Sequence, residues 1–200
     1  MPSITWQFYL DSGLTMPFSG IEQLVSYTNF SDNPQSFTLY WGSTASAHTL
    51  QTQSSPGTNQ ITLTPANISA VWAASHAYTV GNLIQPTSPN GWVYKCTTAG
   101  TSAGSAPTFP TSLGSTVTDG GVVWTNYMPY HPATEIQVRL TSPATGATPG
   151  AAVNLGTTLN SGVSNAIPVY IAITNSVGNV CDTTGYSQIG LNLNAVQEAG

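Results

Sequence analysis

The sequence predicts an all-β protein. The expected architecture is a β-sandwich, Ig-like or jelly-roll-like, built from the two ends of the chain, with a small all-β domain inserted between them. Three observations carry this expectation. Apolar residues alternate with polar ones at period two through most strand-length segments, which places every second side chain on one face. No segment repeats apolar residues at helical spacing over three turns. Clusters of Gly, Pro, Ser, Asp and Asn separate the alternating runs, and such clusters favour chain reversal.

In chain order, the first strand candidate is ITWQFYL, where Ile4, Trp6, Phe8 and Leu10 alternate with polar residues apart from Tyr9. The turn residues Asp11–Gly13 close it. Ile21, Leu24 and Val25 have the spacing of one helical turn, but Thr28 breaks the pattern. Phe37, Leu39 and Trp41 mark the next strand after the turn SDNP, and Ile61 and Leu63 mark another after SSPG. Beyond the middle of the chain, Ile136, Val138 and Leu140 alternate in TEIQVRLT. The turn-rich SPATGATPG follows. Val169, Ile171 and Ile173 then alternate in PVYIAIT, and Ile189, Leu191 and Leu193 in QIGLNLN. Many short strands with this spacing suggest a sandwich or barrel.

The middle of the chain has a different rhythm. Short strand candidates, NLIQP, GWVYKCT and GVVWTN, lie among three of the chain's five tryptophans. Each flank alone has about three strands and would be marginal as a separate sheet. The expected domains are therefore a discontinuous outer sandwich, 1–66 with 131–200, and an inserted domain, 67–130. Exposed loops accept such insertions when the inserted ends lie close together.

Composition narrows the function. Charged residues are 4% of the 200-residue chain, against about 25% in ordinary soluble domains. Hydrophobic residues are 40% and aromatics 10%, so a core can form and disorder is not indicated. Lys95 and Arg139 are the only lysine and arginine, and the net charge is −5. Nucleic acid and anionic membrane surfaces need clusters of cations, so neither is an expected partner. No apolar run approaches the roughly 20 residues of a membrane-spanning helix. The opening MPSITWQFYL lacks the basic and leucine-rich regions of a secretion signal, which points to synthesis in a cytoplasm. Cys96 and Cys181 have no metal-type spacing and read as two separate buried thiols, with a disulfide as the alternative.

Catalysis is not expected. His48, His76 and His131 are scattered, and Asp119 lies in TDGG, a turn signal. Zinc-protease and phosphate-loop motifs are absent. No cofactor or metal is indicated.

The segment VWAASHAYTVGNLIQPTSPNGWVYKCT resembles the small chitin-binding-type carbohydrate-binding modules of chitinases, through Trp72, Ser75, Ala77, Tyr78, Gly81, Leu83, Gly91, Tyr94 and Cys96, with Pro107 and Trp124 continuing the pattern. That resemblance implies a sugar-stacking surface. Its candidates are Trp92, Tyr94, Phe109, Trp72, Tyr78 and Trp124. One departure matters: after the Tyr94–Cys96 strand, where those modules present exposed aromatics, this chain reads TTAGTSAGSAP. The competing reading is that these rings are the core of a small domain, since each aromatic buries about 150–250 Å². Trp72, Tyr78, Tyr94 and Trp124 fit the core better; Trp92 and Phe109 fit exposure better. Lys95 reads as a solvated charge whose stem lies on apolar surface.

The phrases TWQFYLDSGLTMPFSG, FTLYWGSTAS and NAIPVYIAITN, together with the middle segment and TVTDGGVVWT, resemble tailed-phage virion proteins. This resemblance implies a non-enzymatic capsid decoration or cement protein, or a comparable head or tail accessory, located in the virion. Its partners would be the major capsid protein or other virion proteins, with a homo-oligomer, commonly a trimer, as the assembled form. The alternative is a carbohydrate-binding adhesin or tail-fibre component that engages host-surface glycans.

Overall fold

A computed structural model describes residues 4–19, 34–175 and 189–200. The protein is all-β, with antiparallel sheets and, among the described residues, no helix longer than a three-residue 3-10 turn. Contacts divide the chain into two compact units, Met1–Asn67 with Ala133–Gly200, and Ile68–Pro132.

The outer unit is a sandwich. One sheet contains β1 (Gln7–Tyr9), β2 (Gln35–Gly42), β14 (Ile167–Ile173) and β11 (Ile136–Arg139), paired in that order. The opposing layer has β3 (Thr49–Thr52) and β4 (Ile61–Asn67) along its middle. These are flanked on one side by β12 (Val153–Gly156) and β13 (Thr158–Asn160), and on the other by β15 (Ile189–Leu193) and β16 (Val196–Ala199). All three lines of this layer break at the same level: at Gln53–Gln60 in the middle, at Thr157 on one flank and at Asn194–Ala195 on the other. Asn194 holds the break together. Its Oδ1 accepts from the Thr62 amide at 2.9 Å and its Nδ2 donates to the Gln60 carbonyl at 3.0 Å.

Alternation delivers the core. Trp6, Leu39, Trp41, Ile136, Val138, Val169 and Ile171 come from the first sheet and its lead-in; Leu50, Ile61, Leu63, Leu155 and Leu159 come from the second layer. Every expected apolar pair in β2, β4, β11 and β14 joins this cluster or packs against it. The first segment differs from expectation. Only Gln7–Tyr9 is strand, Ile4 and Leu10 are exposed, and Tyr9, the exception to the alternation, is buried. The cause is local. Asp11 accepts from the amides of Thr15 and Met16, which folds the chain back so that Pro17 bridges Tyr9. Strands β3, β12, β13 and β16 were not expected. Each has only three or four residues and one or two apolar side chains, too few for a period to show. Ile21, Leu24 and Val25, whose helical spacing Thr28 breaks, and the turn residues 31–33 lie outside the described residues.

The inserted unit has a four-stranded sheet in the order β6 (Leu83–Ile84), β7 (Trp92–Thr98), β10 (Val122–Pro129) and β9 (Thr116–Asp119), and a two-stranded pair of β5 (Ala77–Tyr78) with β8 (Gly100–Thr101). The β9–β10 hairpin turns on Gly120–Gly121, with Asp119 opposite Val122. Gly120 has φ +60°, and a Cβ there would stand 2.6 Å from the Thr101 carbonyl oxygen, so glycine is required. TDGG is therefore the turn the sequence indicates.

Candidate functional site

Five of the six candidate sugar-stacking residues lie in the core of the inserted unit. Trp72, Tyr78, Tyr94, Phe109 and Trp124 form its buried cluster with Ile84, Cys96 and Val122. Trp92 is half-buried and packs against that cluster. Phe109 corrects the expectation of exposure: it is 8% exposed, and its ring centroid lies 4.6 Å from that of Tyr94. The six therefore do not converge on an open platform. Trp92, Tyr94 and Cys96, at alternate positions of β7, all meet this cluster, and the intervening Val93 is fully buried as well.

Polar groups fix these rings. Asp119 is buried, and its Oδ2 accepts from both indoles, Trp72 Nε1 at 2.7 Å and Trp124 Nε1 at 2.9 Å. Its Oδ1 accepts from the Ala103 amide at 2.8 Å. Tyr78 stacks edge-on against Trp124 at 4.8 Å, and its hydroxyl accepts from the Ala73 amide. Tyr94 donates to the Pro110 carbonyl at 2.7 Å and accepts from Asn90 Nδ2 at 2.8 Å. Burial raises the Tyr94 phenol above its ordinary pKa, with the Asn90 hydrogen bond opposing, so it remains a donor. The segment where sugar-stacking aromatics were sought is occupied by β8 and by buried Ser102, whose hydroxyl donates to the Ala73 carbonyl and accepts from the His76 amide.

The opposite face of the β7–β10 ladder carries Lys95, Thr97, Thr125 and Tyr127. Lys95 Nζ sits 4.6 Å from the centroid of the Tyr127 ring, a cation–π contact of the ammonium itself. The Thr97 and Thr125 hydroxyls lie 3.2 Å apart. Tyr127, which sequence reasoning did not select, is half-buried with one ring face under the lysine.

Cys96 is a free, buried thiol that donates to the Thr98 carbonyl at 3.2 Å; burial raises its pKa, and that hydrogen bond opposes the rise. Cys181 lies outside the described residues.

In the outer unit a second polar cluster joins distant parts of the chain. Glu198 Oε2 accepts from the Thr5 amide at 2.6 Å. Its Oε1 accepts from the Thr5 hydroxyl and stands 2.6 Å from His48 Nδ1. The Thr5 hydroxyl also meets the Ser43 hydroxyl, while the His48 amide donates to Ser161 Oγ at 2.9 Å. These hydroxyls gather at the carboxylate and the backbone. Among the described residues no group of three or more His, Cys, Asp or Glu is placed to hold a metal ion, and no helix is long and apolar enough to cross a membrane.

Comparison with known proteins found no matching family model, no matching curated protein and no matching solved structure.

Proposed function

We propose that this chain is a non-enzymatic structural protein of a tailed-phage virion, a capsid decoration or similar head or tail accessory. In this reading it binds the major capsid protein or another virion protein as a homo-oligomer and stabilises the particle. The observation that carries it is the use of the insert's aromatic rings. Trp72, Tyr78, Tyr94, Phe109 and Trp124 are consumed by the core, and two of them are tied to one buried carboxylate. That makes the insert a self-contained module and favours a structural role over glycan capture. With only one lysine and one arginine, attachment would rest on shape, apolar contact and neutral hydrogen bonds. Exposed Leu10 and Met16, at 47% and 55%, supply such contact beside the turn that Asp11 holds.

Cryo-EM of purified particles from the source tests the proposal. Density that fits the two β units, in many symmetric copies, is expected. Particles without that density, with the protein confined to the infected-cell lysate, would sink it. Polysaccharide pull-downs separate the rival adhesin reading. Retention of the wild type that Trp92→Ala abolishes would move the function to host glycans; no retention of either is expected.

A further inference from the structure

Glu198 is placed as a lock between the two ends of the outer unit. It lies on β16, the last strand, which is held to the sandwich by its pairing with β3. Its side chain is 9% exposed and takes the amide and hydroxyl of Thr5, from the segment entering β1, together with His48 from the entry to β3. Gly200 lies against the far side of the imidazole, where a Cβ would stand 2.6 Å from His48 Nε2. A carboxylate that accepts from several donors in a partly dry site is stable only while ionised.

We propose that the Thr5–Glu198–His48 cluster is an acid-released latch: protonation of Glu198 frees Ile4 and Thr5 together with β16, uncovering the edge of β3. This goes beyond the virion reading and does not depend on it. Among the described residues no second acidic side chain is bonded to the cluster. The N-terminal segment contributes Thr5, the β2–β3 connection Ser43 and His48, β3 itself Leu50 opposite Glu198, and the neighbouring loop Ser161. An imidazole can donate through Nδ1 in one of its neutral tautomers as well as when protonated. Asp11, the nearest acid along the chain, spends its oxygens on Thr15 and Met16.

Burial by itself would raise the Glu198 pKa, but the Thr5 hydroxyl and amide and His48 together hold it below the ordinary glutamate value of 4.5. A carboxyl depressed by folding stabilises the closed form fully above its ordinary pKa. That stabilisation is lost as pH falls through the lowered value. Between those two values the opening constant should rise about tenfold per pH unit, because opening takes up one proton.

Hydrogen exchange of the full chain from pH 7 down to the acid range, corrected for intrinsic rates, reads this directly. The amides of β16 and of Thr5 should lose protection with that slope, while the β2–β14 ladder stays protected. Glu198→Gln should exchange fast in the same peptides at pH 7, with no slope. If that variant fails to fold, Thr5→Val, which removes one donor, should shift the transition towards higher pH. A wild type with no slope in these peptides, or one that loses protection everywhere at once, overturns the latch.

Discussion

In the outer unit Trp6 and Trp41 stack with ring centroids 6.3 Å apart, both buried, and neither indole N–H has a hydrogen-bond partner among the described residues. In the inserted unit Trp72 and Trp124 are buried as deeply, yet both donate to the same oxygen of Asp119. The sandwich surrounds its tryptophans with aliphatic residues from two layers, so shape and apolar area fix the rings and the cost of an unpaired N–H is absorbed. The insert has little aliphatic area and a higher share of rings in its cluster. It orients them with a polar anchor. A small core can thus be specified by a few directed bonds where a larger one relies on packing.

Asp119→Ala should break the comparison most severely. It leaves two buried indole N–H groups and one amide without an acceptor, a loss of roughly 3–5 kcal/mol. Thermal unfolding followed by exchange in peptides from 68–132 should show the insert melting first. Asp119→Asn keeps one carbonyl acceptor and should cost less, about 1–3 kcal/mol.

Phenylalanine substitutions sharpen the contrast. Trp124→Phe should cost about 1.5–3 kcal/mol more than Trp41→Phe, because only the first forfeits a hydrogen bond to a charged group. Equal losses in denaturant titrations would show that the Asp119 bonds contribute nothing beyond packing.

Tyr94→Phe should have the smallest effect, about 0.5–1.5 kcal/mol. The Pro110 carbonyl keeps its bond from Asn126 Nδ2 at 2.8 Å, and only the Asn90 amide is left to find another partner. A calorimetric midpoint more than a few degrees lower would mean that Tyr94 anchors the loop before β7 as well as filling the core.

The strands were legible where alternation runs over several residues: β2, β4, β11 and β14 appear with the expected residues inward. The short strands were not, because three residues cannot display a period, and Tyr9 was misread because a side-chain-capped turn reversed the chain beside it. The expected domain limits, 67 and 131, stand beside a division of contacts at Asn67–Ile68 and Pro132–Ala133. In the insert the ring types were visible in the sequence, but their direction was not. Val93 and Tyr94 are adjacent and both fully buried, so both faces of β7 are covered there and alternation alone could not say which face meets the ring cluster.

Local pattern thus determined the β class, the main strands, the Gly120–Gly121 turn and the scarcity of charge that bears on partners, because each depends on neighbours a few residues apart. Tertiary structure alone decided that Asp119 ties Trp72 to Trp124, that Phe109 turns inward, and that Thr5, His48 and Glu198 meet. Thr5 and Glu198 stand 193 positions apart. Contacts at such separation leave no periodic trace in the chain; they arise only when the sheets pair and close.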